Sequence, residues 1–193
     1  MKKLCVYCGS SQGVRPEYAD AAKELGLLLA NKGYEIVYGG GSTGLMGIVA
    51  DAALEAGGRV TGIIPKALYD KEVGHDRLSE LYIVASMHER KTMMAALSDG
   101  FIALPGGYGT LEEFVEVLTW SQLGFHAKPC VLLNINGFYD GLLTFFDHLV
   151  QEGFVLPRLS KLVLSTDTPA NLLNVLQTYQ PIGTDKWLER EDL

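Results

Sequence analysis

Short apolar runs alternate along the chain with longer stretches whose apolar positions recur at helical spacing. Residues 4–8 make the first run and stop at Gly9. In Pro16–Asn31 an early proline precedes Ala19, Ala22, Leu25 and Leu29, and Gly33 follows, which is the start, face and stop of an amphipathic helix. Glu35–Tyr38 is a second strand-like run, leading into Gly39-Gly40-Gly41-Ser42. The alternation continues with a helix over 45–56, a strand over 59–64 and, after Pro65, a charged connection over 66–80 that has little periodicity and room to move. Strands over 81–85, 100–104, 130–134 and 162–165 then alternate with helices over 88–97, 111–123, 139–151 and 170–178. The tail after about residue 180 is polar apart from Trp187 and Leu188.

Strands separated by helices predict βαβ units and a mostly parallel sheet of about seven strands. The strands are near-continuous apolar runs, as expected when helices cover both faces. The pattern therefore predicts an α/β, Rossmann-like, doubly wound fold, one domain over 1–193. In such folds ligands bind beyond the carboxyl ends of the strands. Three of those ends carry unusual loops, after Cys8, after Tyr38 and after Leu104.

Composition narrows the partners. The 193 residues are 48% hydrophobic and 20% charged, enough for a large core and unlike a disordered chain. A net charge of −7 argues against a nucleic-acid backbone as partner, while leaving room for a small anion held by local positive groups. Three cysteines do not make a disulfide framework. Two lysines open the chain, but Gly9-Ser10-Ser11-Gln12 cuts short the apolar run of a signal peptide. No stretch has the length of a membrane span. The expected compartment is the cytoplasm.

The segment Pro105-Gly106-Gly107-Tyr108-Gly109-Thr110-Leu111-Glu112-Glu113 joins a strand to a helix through three glycines. Glycine permits close backbone approach, and consecutive N–H groups beside a helix start make an anion cradle. Thr110 is placed to cap that helix and to donate to a phosphate oxygen. No Lys-Ser/Thr pair follows, so this is not a Walker A loop. Gly39-Gly40-Gly41-Ser42-Thr43-Gly44 repeats the strand–glycine–helix arrangement. In Met87-His88-Glu89-Arg90-Lys91, two cations at a helix start run against the helix dipole, so either an anion favours them there or they belong to a solvated face.

Glu113, on the first turn of the predicted helix, can face a ligand. Glu112 points about 100° away and reads as solvent or helix-start charge. Glu116 reads as structural or surface, Thr119 as helix surface or core, and Glu72 as a polar connection residue. Cys5 and Cys8 stand three apart in a strand, on opposite faces, which suits core residues rather than a redox or metal pair. The four histidines show no metal spacing.

Taken in order, Cys8-Gly9-Ser10-Ser11, Gly39-Gly40-Gly41 with Gly44-Leu45-Met46-Gly47, Met87-His88-Glu89-Arg90-Lys91 and PGGxGTxxE at 105–113 resemble the LONELY GUY family of cytokinin riboside 5′-monophosphate phosphoribohydrolases. The resemblance spans roughly 4–180. It implies hydrolysis of the N-glycosidic bond of an N6-modified or plain adenosine 5′-monophosphate, giving free base and ribose 5-phosphate, with neither metal nor organic cofactor. It implies substrate contacts at Glu72, Arg90, Lys91, Gly107, Tyr108, Gly109, Thr110, Leu111, Glu112, Glu113 and Thr119, with Glu113 and Arg90 catalytic. It also implies a homodimer or larger assembly with sites near the interface. A non-catalytic nucleotide or cofactor carrier on the same fold is the alternative.

Overall fold

In a computed structural model describing residues 2–70 and 74–182, the apolar runs become one parallel sheet. The elements follow in strict alternation: β1 (Lys3–Tyr7), α1 (Pro16–Asn31), β2 (Glu35–Tyr38), α2 (Gly44–Glu55), β3 (Val60–Pro65), α3 (Lys66–Tyr69), β4 (Glu80–Val84), α4 (Met87–Leu97), β5 (Gly100–Ala103), α5 (Tyr108–Gln122), β6 (Cys130–Leu133), α6 (Asp140–Gln151), β7 (Val163–Thr166) and α7 (Pro169–Thr178). The seven strands lie in the order β4-β3-β2-β1-β5-β6-β7. Every pairing is parallel. The chain builds outward from β1 to one edge, then returns to lay β5 against the free side of β1. That reversal opens a crevice at the carboxyl ends of β1 and β5.

Side-chain alternation divides the strands between two cores. Leu4 and Val6 join Ile36, Tyr38 and Ile102 on the face covered by α1, α2 and α7. Cys5 and Tyr7 join Val37, Phe101 and Phe114 on the face covered by α4, α5 and α6. Cys5 and Cys8 fall into different cores, and both thiols are free. Burial pushes both thiols well above the ordinary cysteine value. These are inert, packed groups.

Most boundaries shift by a residue from the sequence pattern, and four departures carry a physical reason or bear on the site. The connection over 66–80 contains the helix α3 and an isolated antiparallel bridge between Gly41 and Gly74. Strand β4 starts at Glu80 and is the sheet edge, so Tyr82 and Ile83 are exposed rather than covered. Helix α4 starts at Met87, because Ser86 accepts from the Glu89 N–H as a cap while Glu89 reaches back to accept from the Ala85 N–H. Helix α5 starts at Tyr108, three residues earlier than its apolar periodicity indicates, since Tyr108, Gly109 and Thr110 add no aliphatic position to the pattern.

Helices α1 and α2 cross at Gly26. A methyl group there would sit 2.5 Å from the Val49 carbonyl oxygen and 2.9 Å from the Ala52 Cβ. An exposed Gly→Ala change in a helix stabilises by about 1 kcal/mol. Here overpacking wins, and Gly26→Ala is expected to destabilise by about 1–3 kcal/mol in urea titration. A stabilised variant would show that the helices separate freely.

Candidate functional site

The loops leaving β1, β2 and β5 meet above the crevice. Gly9 donates its N–H to the Pro105 carbonyl at 3.1 Å, and Leu45 donates to the Gly9 carbonyl at 3.0 Å. A Cβ on Gly106 would stand 2.9 Å from the Gly9 nitrogen, so two backbones pass in direct contact. Tyr139 and Tyr38 brace the assembly from beneath, donating their hydroxyls to the carbonyls of Leu104 (2.6 Å) and Gly41 (3.1 Å). Between the loops lies a cleft of about 310 Å³.

One wall of the cleft is the start of α5. Gly107 is the residue preceding the helix and no side chain caps it. The first N–H groups of a helix have no internal partner, and they carry the positive end of the dipole. Gly107, Tyr108, Gly109 and Thr110 line the cleft, so these donors border it. Thr110 does not cap the helix: it is the third helical residue and is buried, its side chain lying against Gly106. Tyr108, 94% exposed, projects outward. Leu111 is not a lining residue, since it packs into the core beneath α5.

The floor is a buried ion pair. Arg90 and Glu113 are each 9% exposed, and Arg90 Nη2 lies 3.3 Å from Glu113 Oε1. Glu113 falls in the second turn of α5, not the first. Burial raises its carboxyl pKa above the ordinary glutamate value, the Arg90 charge opposes that shift, and the neighbouring Glu112 charge adds to it. The guanidinium is incompletely satisfied. Among the described residues its Nη1 has a 3.7 Å contact to the Met87 sulfur, and its Nε has no partner.

The neighbouring cation behaves differently. Lys91 pairs with Glu112 and, at 3.0 Å, with Glu116. Partial burial works against its charge, but the hydrogen bonds to Glu112 and Glu116 outweigh it and lift the pKa above the ordinary lysine value. Lys91 is not among the residues lining the cleft. Arg90 and Lys91 are the fourth and fifth residues of α4, and carboxylates of α5 compensate both. Glu112 therefore has a partner in the structure instead of facing solvent alone, and it also borders the cleft.

Thr119 lies elsewhere. Its hydroxyl donates to the Val115 carbonyl at 2.8 Å, and it borders a separate, mainly apolar groove between α5 and α6. Glu72 lies outside the described residues. Among the described residues no group of three or more His, Cys, Asp and Glu side chains could hold a metal ion. Leu68, Met46 and Met87 supply apolar walls. Met46 and Met87 stand inside glycine-rich and charged motifs that drew attention for other reasons. Leu68 sits in the aperiodic connection, where no sequence signal distinguishes it.

Comparison with known proteins fits this geometry. A family model described as "Possible lysine decarboxylase" matches residues 46–176. The chain is 50% identical over 180 residues to the cytokinin riboside 5′-monophosphate phosphoribohydrolase LOG3 of Arabidopsis thaliana, covering 93% of this chain and 84% of that protein. It is likewise 50% identical to LOG of Oryza sativa subsp. japonica, covering 93% and 74%. Among solved structures, the molybdenum cofactor carrier protein of Chlamydomonas reinhardtii superposes with a TM-score of 0.71 at 23% identity, covering 91% of this chain and 96% of that one. The molybdenum cofactor binding protein of Rippkaea orientalis gives 0.70 at 22%, covering 92% and 97%. At that identity the two structures speak for the fold.

The ion pair sets a titration. Burial favours the neutral form of Glu113 and Arg90 favours the charged form. The Glu113 carboxyl, followed by ¹³C NMR, is expected to titrate above the ordinary glutamate range, and Arg90→Ala is expected to move it higher. A midpoint unmoved by Arg90→Ala would show that the two charges do not interact.

Proposed function

The chain belongs to the LONELY GUY family, and from that premise and the Arg90–Glu113 cleft we propose that it hydrolyses the N-glycosidic bond of adenosine 5′-monophosphates, plain or N6-modified. The products are the free base and ribose 5-phosphate. The observation that carries the reading is a buried carboxylate beside an anion cradle. The open N–H groups at the start of α5 receive the 5′-phosphate. That remote contact holds the ribose over the floor of the cleft and lowers the cost of reaching the reacting geometry.

Cleavage sends the C1′–N9 electron pair to the base and leaves cationic character on the ribosyl ring. Glu113 is placed to stabilise that charge and to orient the attacking water, whose oxygen joins C1′ and whose proton goes to the departing base. Arg90 favours the ionised form of Glu113 and stabilises the negative charge that develops on the base. Met46, Leu68 and Met87 offer apolar walls for a flat purine. Lys91 serves through its pairs with Glu112 and Glu116, which tie α4 to α5.

Two other readings fit less well. A decarboxylase working through a lysine Schiff base needs an uncharged amine, yet no lysine lines the cleft among the described residues and Lys91 is held protonated. A pure carrier gains nothing from burying a carboxylate beside the anion it must bind.

The active assembly in this proposal is a homodimer. The unpaired edge strand with exposed Tyr82 and Ile83, continued by exposed Met87, supports it. Thr119, outside the cleft, enters the reading as a further substrate contact, as does Glu72, which lies outside the described residues. Three free cysteines suit the reducing cytoplasm, and no helix among the described residues is long and apolar enough to cross a membrane.

Incubation with AMP and with isopentenyladenosine 5′-monophosphate, followed by chromatography, is expected to show release of free base. Glu113→Gln is expected to lower turnover by about 10²-fold or more while retaining nucleotide binding. Binding without release from either nucleotide by the wild type would favour the carrier. Light scattering is expected to give a dimer mass, and a monomer would remove the interface from the reading.

A further inference from the structure

The loop after β2 holds three consecutive glycines, and they are not glycines for one reason. Gly40 has φ +77°, a backbone conformation that side chains disfavour. Gly41 has ordinary backbone and faces the flexible end of Met46. Gly39 also has ordinary backbone, so nothing in its own conformation calls for glycine. What a side chain there would meet is Arg90. A Cβ built at Gly39 would overlap Nη2 and stand 3.1 Å from Cζ and 3.6 Å from Nε, and the guanidinium supplies all three of its nearest atoms.

Few other forces hold that guanidinium. Among the described residues it has one ion pair, at 3.3 Å, one weak sulfur contact, and an Nε without a partner. An arginine tethered so lightly takes its position from the walls around it. On one side the wall is the bare backbone of Gly39, and on the other it is Glu113. We infer that Gly39 is a positioning residue for the reaction: its missing side chain is the space in which the Arg90 guanidinium lies beside Glu113. This rests on the phosphoribohydrolase reading, in which Arg90 acts on the substrate.

The role separates from a merely structural one because the atoms a methyl group would displace belong to the tip of a flexible side chain. The fold tolerates the methyl while the guanidinium moves. A displacement of about 1 Å at a reacting centre can cost on the order of 10²-fold in rate.

The test uses four full-length proteins: wild type, Gly39→Ala, Arg90→Ala and the double variant. Gly39→Ala is expected to lower kcat for base release from AMP by about 10²-fold with the melting temperature nearly unchanged. In the Arg90→Ala background the same substitution is expected to change kcat by less than about twofold, since the group it displaces is gone. Wild-type kcat in Gly39→Ala, or the same loss in both backgrounds, would overturn the inference. If Gly39→Ala lowers the melting temperature, it is expected to cause no further loss when added to Arg90→Ala, and an equal loss in both backgrounds would also overturn the inference. A wild type that releases no base would defeat the reaction reading alone. The cycle is then read in AMP affinity by calorimetry, where non-additivity supports the positioning role and additivity overturns it.

Discussion

The structure turns on one ion pair. Arg90 and Glu113 are opposite charges taken out of water together, and removing either leaves the other buried and uncompensated. Bringing them together places a demand on the whole topology. Arg90 follows β4, at the edge of the sheet, and Glu113 follows β5, which lies beyond β3, β2 and β1. The crossover between these consecutive strands must carry α4 back across the sheet, where it contacts β3, β2 and β1 before the chain enters β5. That passage brings Arg90 over the exit of β2 and against the helix that follows β5. The reversal of strand order that opens the crevice is the same event that assembles its charged floor.

Net charge conceals this local arrangement. The chain carries −7, yet the cleft combines a helix start without a capping side chain and a guanidinium with one orphaned donor. Both are donors poised for an anion, and neither depends on the sign of the distant surface. The fold itself is shared with cofactor carriers at 22–23% identity, so it decides where a ligand sits and not what happens to it. In the proposed reaction the chemistry rests on the carboxylate at position 113.

Much of this was legible in the residues. The strand runs and glycine exits locate the crevice because parallel strands covered on both faces must be apolar throughout, and because glycine marks the places where backbones touch. Boundaries were less legible where the decisive contact was not apolar. The Ser86–Glu89 cap, not periodicity, fixes the start of α4, and the opening Tyr108-Gly109-Thr110 of α5 adds no aliphatic position to signal a helix. That missed turn misplaces Thr110 as a cap and Glu113 in the first turn. Lys91 and Leu111 share motifs with true cleft residues, but adjacent helical positions face different directions. One finds Glu112 and Glu116, and the other finds the core. No local pattern could reveal that Gly39 faces Arg90, because the two meet only in three dimensions.

The central position of β1 also bears on how the molecule comes into being. Its amino end is pinned by Asp99, whose carboxylate accepts the backbone N–H groups of Lys2 and Lys3 at 2.6 and 3.1 Å across some 97 residues of chain. Its free side is covered only when β5 arrives, pairing Leu4 with Gly100. Contacts of such sequence separation are slow to form. During synthesis the first half of the protein must wait with an apolar strand edge open, a period when chaperone protection matters most. The crevice is the seam where β5 closes on β1, so a chain able to bind a ligand there is one in which the two halves of the sheet have joined.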